Sequence, residues 1–203
     1  MSREFDSNDE LVDYLVSHQF IESDRVEKAF RNVDRAKFMP ESRIENAYSD
    51  RPIKIGKDAT ISAPHIVAIN TELLDIDKSD SVIEIGSGSG YQLAILSELA
   101  EEVLGVEILG ELVKKSRERL SDRENVKIIH GSGFRDVEDG FEKILYSCSI
   151  NSFETALKHL NHGGCAVAPI RENGSQILKK YENGEITEHS MVSFVSFKDE
   201  EVE

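Results

Sequence analysis

Apolar residues recur at helical spacing over residues 9–19 and again over 24–33, with Asn8 and Ser23 placed as helix caps. Pro40 closes this helical opening, and 48–62 reads as a loop. Pro64 then opens a helix to about Leu74, because a proline in the first turn gives up an N–H that would lack a partner there anyway. Beyond it, short apolar runs alternate with helical stretches. Strands are predicted at 81–85, 102–107, 126–130, 143–148 and 165–170, and helices at 91–100, 110–120 and 152–160. The closing segments 175–182 and 186–197 meet at Asn183-Gly184, a dipeptide suited to the positive-φ corner of a hairpin. Strand–helix alternation followed by a hairpin predicts an α/β fold. It is a Rossmann-like, doubly wound, mostly parallel sheet with an N-terminal helical extension and an antiparallel C-terminal edge. No repeat or linker breaks the pattern, so 1–203 reads as one domain, with a preface of 1–75 and a core of 76–203.

One turn carries chemistry. In V-I-E-I-G-S-G-S-G-Y, residues 82–91, an apolar run containing Glu84 breaks into glycines at 86, 88 and 90, interleaved with Ser87, and opens a helix. Such a turn lets backbone approach a ligand, and the first N–H groups of the helix suit a carboxylate or phosphate. Glu107 ends the next strand about twenty positions after Gly86, where doubly wound folds place the acid that takes ribose hydroxyls. A dinucleotide fingerprint would need glycine at 91, and Tyr91 stands there instead. The G-x-G-x-G form is similar to that of S-adenosylmethionine-dependent methyltransferases; the competing reading is an ordinary strand-to-helix turn.

Composition narrows the partners. The net charge of −15 argues against a nucleic-acid backbone, which needs clustered Lys and Arg, and favours proteins or small molecules. Cys148 and Cys165 lack metal or redox spacing and fall in apolar runs, so both are expected to be buried thiols, and no metal site is expected. With no stretch of membrane-helix length and no apolar N-terminal region, the chain is expected to be soluble and cytoplasmic. Lys114, Lys115, Arg117 and Arg119 read as the solvated face of a helix.

A second stretch, A-Y-S-D-R-P-I-K-I-G-K-D-A-T-I-S-A-P-H-I-V-A at 47–68, adds a family. With the glycine turn and the phrase R-x-K-F-M-P-E at 35–41, it resembles the protein-L-isoaspartate O-methyltransferases, whose hallmark is T-I-S-x-P-H. The resemblance implies a fold of the class I methyltransferase type, with S-adenosyl-L-methionine as cofactor. It also implies repair of aged proteins, by methylation of the free α-carboxylate of L-isoaspartyl residues in proteins or peptides. By position it puts Ser62 beside the transferring methyl and the acceptor carboxylate, with Thr60, Ile61 and His65 closing the cofactor pocket. Glu84, Gly86, Ser87, Gly88 and Gly90 would hold the methionyl end, Glu107 the ribose and Ile108 the adenine. Other readings stay open: Ser62 and Thr60 as caps of the Pro64 helix, His65 as a packed histidine, and Tyr91 either over the cofactor or filling the helix–sheet gap.

The second half departs from that family. Where it carries G-D-G, with the aspartate accepting from the adenine amine, this chain has Gly131-Ser132-Gly133, and the family's closing V-P-L phrase, which helps cover the substrate, reads Phe194-Val195-Ser196-Phe197 here. Asp58 stands where most members have glycine. The alternatives are a diverged methyltransferase with another acceptor and a non-catalytic S-adenosylmethionine-binding protein. Oligomeric state is not read from the sequence.

Overall fold

The computed structural model describes residues 4–57, 59–135, 137 and 140–198. Asp58 and the acidic tail beyond Lys198 lie outside the described residues. The preface forms α1 (Asn8–Ser17) and α2 (Asp24–Asn32), followed by 3-10 turns at Arg35–Phe38 and Glu41–Asn46. The cap of α1 is Ser7, whose Oγ accepts from the Glu10 N–H at 3.2 Å, and not Asn8. Asn8 instead donates to the Phe30 carbonyl and so ties α1 to α2. Ser23 occupies the cap position of α2, but its hydroxyl is turned to the Glu72 carboxylate. The segment expected to be all loop contains a short antiparallel ribbon, β1 (Ile53–Lys54) and β2 (Thr60–Ile61). It leads into α3 (Pro64–Leu74).

The core follows as β3 (Ser81–Ile85), α4 (Tyr91–Ser97), β4 (Glu102–Glu107), α5 (Gly110–Arg119), β5 (Val126–His130), β6 (Phe141–Tyr146), α6 (Glu154–Leu157), β7 (Leu160–Glu172), β8 (Ser175–Glu182) and β9 (Glu185–Met191). One sheet has the order β5-β4-β3-β6-β7-β8-β9, parallel from β5 to β7 and antiparallel at β8 and β9. Alternate strand residues divide between two apolar layers, as the two-residue strand period requires. Val82, Leu145 and Val167 face the layer holding α1–α5, while Ile83, Ile144 and Ala166 face the layer holding α6. Strand order therefore reverses between β3 and β6. In open α/β sheets that reversal leaves a crevice at the carboxyl ends of the strands.

Helix α4 ends at Ser97 and β6 at Tyr146, a little before expectation, and two elements are cut shorter still. The helix expected at 152–160 shrinks to α6, because the Phe141 N–H takes the His159 carbonyl and Leu160 pairs with Phe141, so β6 captures the backbone first. The strand expected at 186–197 ends at Met191, and residues 192–198 leave the sheet edge. Asn183 and Gly184 have φ of 52° and 87°, the double positive φ of a tight hairpin turn.

Candidate active site

Above the carboxyl ends of β3 to β6 the glycine turn is held from several directions. The Gly86 and Ser87 N–H groups donate to the Val106 carbonyl, and the Gly88 N–H donates to Glu107 Oε2 at 2.8 Å. The other Glu107 oxygen accepts from the Leu109 N–H at 2.9 Å. Glu107 thus fixes the turn while each oxygen keeps lone-pair capacity. Gly86, Gly88 and Gly90 have φ of 87°, 53° and 84°, which side-chain-bearing residues adopt only under strain. Gly90 is the cap residue of α4 and lies outside the cleft; a Cβ there would sit 3.0 Å from Leu120 and 3.1 Å from Ser116. Arg119 donates to the Ser89 carbonyl at 3.2 Å, and Arg117 to that of Ile128. Arg119 braces the turn, and for it the solvated-face reading fails because its half-buried guanidinium reaches a backbone carbonyl; Lys114, Lys115 and Arg117 are exposed as expected, Arg117 touching β5 from the surface.

Thr60, Gly86, Gly88, Glu107, Ile108, Gly131 and Ser132 line one cleft, together with Ser147 and Cys148 at the end of β6. The Ser132 hydroxyl donates to the Lys198 carbonyl at 2.6 Å, so its lone pairs remain free to accept. Burial, with the charges of Glu107 and Glu84 adding, pushes the Cys148 thiol up to about 12, which keeps it neutral and unreactive. A small recess beneath the turn is lined by Ile61, Glu84, Ser87 and Tyr91. One Glu84 oxygen accepts from Ser147 at 2.6 Å; the other is buried without a partner, as is the Ser87 hydroxyl. Burial pushes the Glu84 carboxyl up to about 8, opposed by the Ser147 hydrogen bond and assisted by Glu107.

The Tyr91 ring is turned into the core between Phe30 and Phe38, with the Arg35 guanidinium 5.0 Å from its centre. Arg35 is fully buried, donating to the Ala47 carbonyl at 3.0 Å and to the Ser62 carbonyl at 2.8 Å. It pins the T-I-S segment to the preface, and burial lowers its pKa to about 10.

Ser62 and His65 lie beside the cleft in a recess of about 380 Å³, with Thr60, Pro52, Ile66 and the segment 191–195 as its other walls. Asp50 caps α3, accepting from the His65 N–H at 3.0 Å and meeting His65 Nδ1 at 2.8 Å. Neither Ser62 nor Thr60 caps that helix: the cap position is Ala63, and Asp50 has taken the free N–H from across the loop. Burial raises the Asp50 pKa, but its hydrogen bonds to His65 outweigh that and leave it below the usual range. Sequence reasoning missed Asp50 and Arg35; the roof of the cleft, residues 195–198, overlaps the closing phrase Phe194-Val195-Ser196-Phe197. The signal for Asp50 and Arg35 lay inside the quoted phrases.

The fold and the cleft define an S-adenosylmethionine-dependent methyltransferase of class I. The unpartnered Glu84 oxygen under the turn suits a cationic group, the Glu107 carboxylate suits paired hydroxyls, and the close-approach glycines leave room between them. The family model for protein-L-isoaspartate(D-aspartate) O-methyltransferase (PCMT) matches residues 6–202, and the chain belongs to that family. It is 37% identical over 210 residues to the protein-L-isoaspartate O-methyltransferase of Methanopyrus kandleri, covering 96% of this chain and 92% of the relative. It is 38% identical over 198 residues to that of Pyrobaculum arsenaticum, covering 92% and 96%. A solved structure from Plasmodium falciparum, described as a protein-L-isoaspartate O-methyltransferase in complex with S-adenosyl-L-homocysteine, superposes with a TM-score of 0.85 at 27% identity. The superposition covers 97% of this chain and 100% of the other.

Proposed function

We infer that this chain transfers a methyl group from S-adenosyl-L-methionine to the α-carboxylate of L-isoaspartyl residues in damaged proteins. The observation that carries the reading is a shared wall: Thr60, Ser147 and Val195 line both the cofactor cleft and the recess holding Ser62 and His65. A donor and an acceptor placed on its two sides would meet there.

When bound, the cofactor supplies an electrophilic methyl group on a sulfonium. The chain itself has to bind, orient and exclude water. A carboxylate is already ionised at neutral pH, so no general base is required, only alignment in a dry pocket. Ser62, with its backbone held by Arg35, donates its hydroxyl to the acceptor carboxylate; His65, held by Asp50, faces the same recess. Glu84 and the turn at Gly86, Ser87 and Gly88 take the methionyl end, and Glu107 the ribose. Ile108, Gly131 and Ser132 take the adenine side. The preface and core act as one unit, since Arg35 of the preface lies over the Tyr91 ring of the core and the Gln92 amide donates to the Thr71 hydroxyl at 3.0 Å. We assign a cytoplasmic setting, supported by two free, buried thiols. Among the described residues no helix is long and apolar enough to cross a membrane, and no cluster of His, Cys, Asp and Glu is arranged to hold a metal.

The test is transfer of labelled methyl from S-adenosylmethionine to an isoaspartyl peptide, with its aspartyl counterpart as control. Base-labile label on the isoaspartyl peptide alone is the expected result. Cofactor binding with no label on either peptide would overturn the assigned acceptor.

A further inference from the structure

We propose that Gln176 is the latch of a strap, residues 192–198, which seals the cofactor cleft and the acceptor recess together and has to be released for the nucleoside to exchange. The inference rests on the methyltransferase reading of the cleft and concerns how it opens.

The strap begins where β9 ends. Its last regular pairing with β8 is Met191 with Ile177, and one further rung follows, from the Val192 N–H to the Gln176 carbonyl at 2.9 Å. Beyond that point the Gln176 side chain replaces the missing strand. Its Oε1 accepts from the Phe194 N–H at 2.6 Å, and its Nε2 donates to the Phe194 carbonyl at 3.0 Å. The side-chain amide brackets Phe194 as a neighbouring peptide group would. Gln176 is oriented in turn by Ser149, a fully buried residue whose hydroxyl accepts from Nε2 at 3.3 Å. Ser149 also holds the strap through its own backbone, donating to the Val195 carbonyl at 2.8 Å and accepting from the Phe197 N–H at 3.0 Å.

Position gives the strap its consequence. Val195 stands between the two pockets and lines both, while Phe197 closes over Gly133, 3.1 Å from where a Cβ would lie. The cleft beneath holds about 90 Å³ of free space, against the ~300–1,000 Å³ usual for a cofactor site, so the roof narrows the space that a nucleoside needs. The strap is fastened by hydrogen bonds and by partial packing of Val192 and Phe197 on the two apolar layers. Met191 at its root and Val195 at its centre are 82% and 47% exposed. No residue of 192–198 is fully buried, and such a segment opens at low cost compared with the sheet beneath it. Water exclusion during transfer and release afterwards are therefore both assigned to the same amide. A strand-edge residue that could only donate, or only accept, would hold Phe194 on one side.

The test uses S-adenosylhomocysteine and no acceptor, so it stands apart from the assignment of the substrate. Gln176→Leu removes both bonds to Phe194; Gln176→Glu keeps the acceptor for its N–H but loses the donor to its carbonyl. Dissociation of S-adenosylhomocysteine is expected to be about tenfold faster in the Leu variant, and faster by a smaller factor in the Glu variant. Amide exchange should rise over 192–198 and stay unchanged in β3 to β6. An unchanged dissociation rate overturns the latch. So does faster exchange that spreads through β3 to β6, because Gln176 would then merely support the fold. If the Leu variant does not fold, the Glu variant alone decides by the same two readings. Normal gating in a protein that leaves isoaspartyl peptides unlabelled would overturn the proposed substrate and keep the latch.

Discussion

Ser62 and Glu84 illustrate how far a residue's identity leads and where its surroundings take over. Ser62→Ala should lower kcat roughly tenfold or more, since a hydrogen bond to a charged group is worth ~1.5–3 kcal/mol, and should leave S-adenosylhomocysteine affinity unchanged. Steady-state kinetics beside calorimetric binding separates the two; equal loss in both would make Ser62 a wall of the cleft and nothing more. Glu84 carries a pH signature. Its folded carboxyl titrates near 8 against an ordinary 4.5, so between those values the folded protein holds a proton that the unfolded chain has released. Stability contributed by this group therefore falls as pH rises through that window and levels off above it. A glutamine at this position cannot ionise, so the stability advantage of Glu84→Gln over the wild type should grow from pH 5 to pH 8. Urea midpoints at several pH values measure it, and a constant difference would place Glu84 in the ordinary carboxylate range. The acid itself was legible in V-I-E-I-G-S-G-S-G. Its missing partner was not, because that depends on what β6 brings alongside.

Among the elements, those whose boundaries rest on local signals matched expectation: α3 opens at Pro64, β3 to β5 keep their predicted ends, and the hairpin turns at Asn183-Gly184. Those that failed furthest, α6 and the end of β9, were decided by partners outside the segment: β6 takes the His159 carbonyl, and the Gln176 side chain takes Phe194. The α3 terminus shows the same competition from the other side, with Asp50 supplying a cap from a preceding loop. Asp50→Ala should cost about 1 kcal/mol through the lost cap and also raise KM for the acceptor by freeing His65. Asp50→Asn retains an acceptor for the His65 N–H and should recover most of the stability. Thermal melts beside peptide kinetics test this pair; full stability in the Ala variant would show that the cap carries no load.

For the whole molecule, the cleft couples binding to stability. S-adenosylhomocysteine at a hundred times its dissociation constant should add about 2.7 kcal/mol, and NADH at the same concentration should add nothing. For a chain of this size that corresponds to a rise in Tm of about 5–10 °C. A shift with NADH and none with S-adenosylhomocysteine would contradict the cofactor. The sequence alone carried the alternation of strands and helices, the glycine turn, Glu107 and the T-I-S-A-P-H phrase, because each is written in residues close along the chain and follows from local sterics and period. It did not carry the pairing of Asp50 with His65, of Arg35 with the Ser62 carbonyl, or of Gln176 with Phe194. Those contacts join residues 15, 27 and 18 positions apart, beyond the reach of any local period, and only the folding of the preface loop against α3 and of the strap back beside β8 brings them within hydrogen-bond reach.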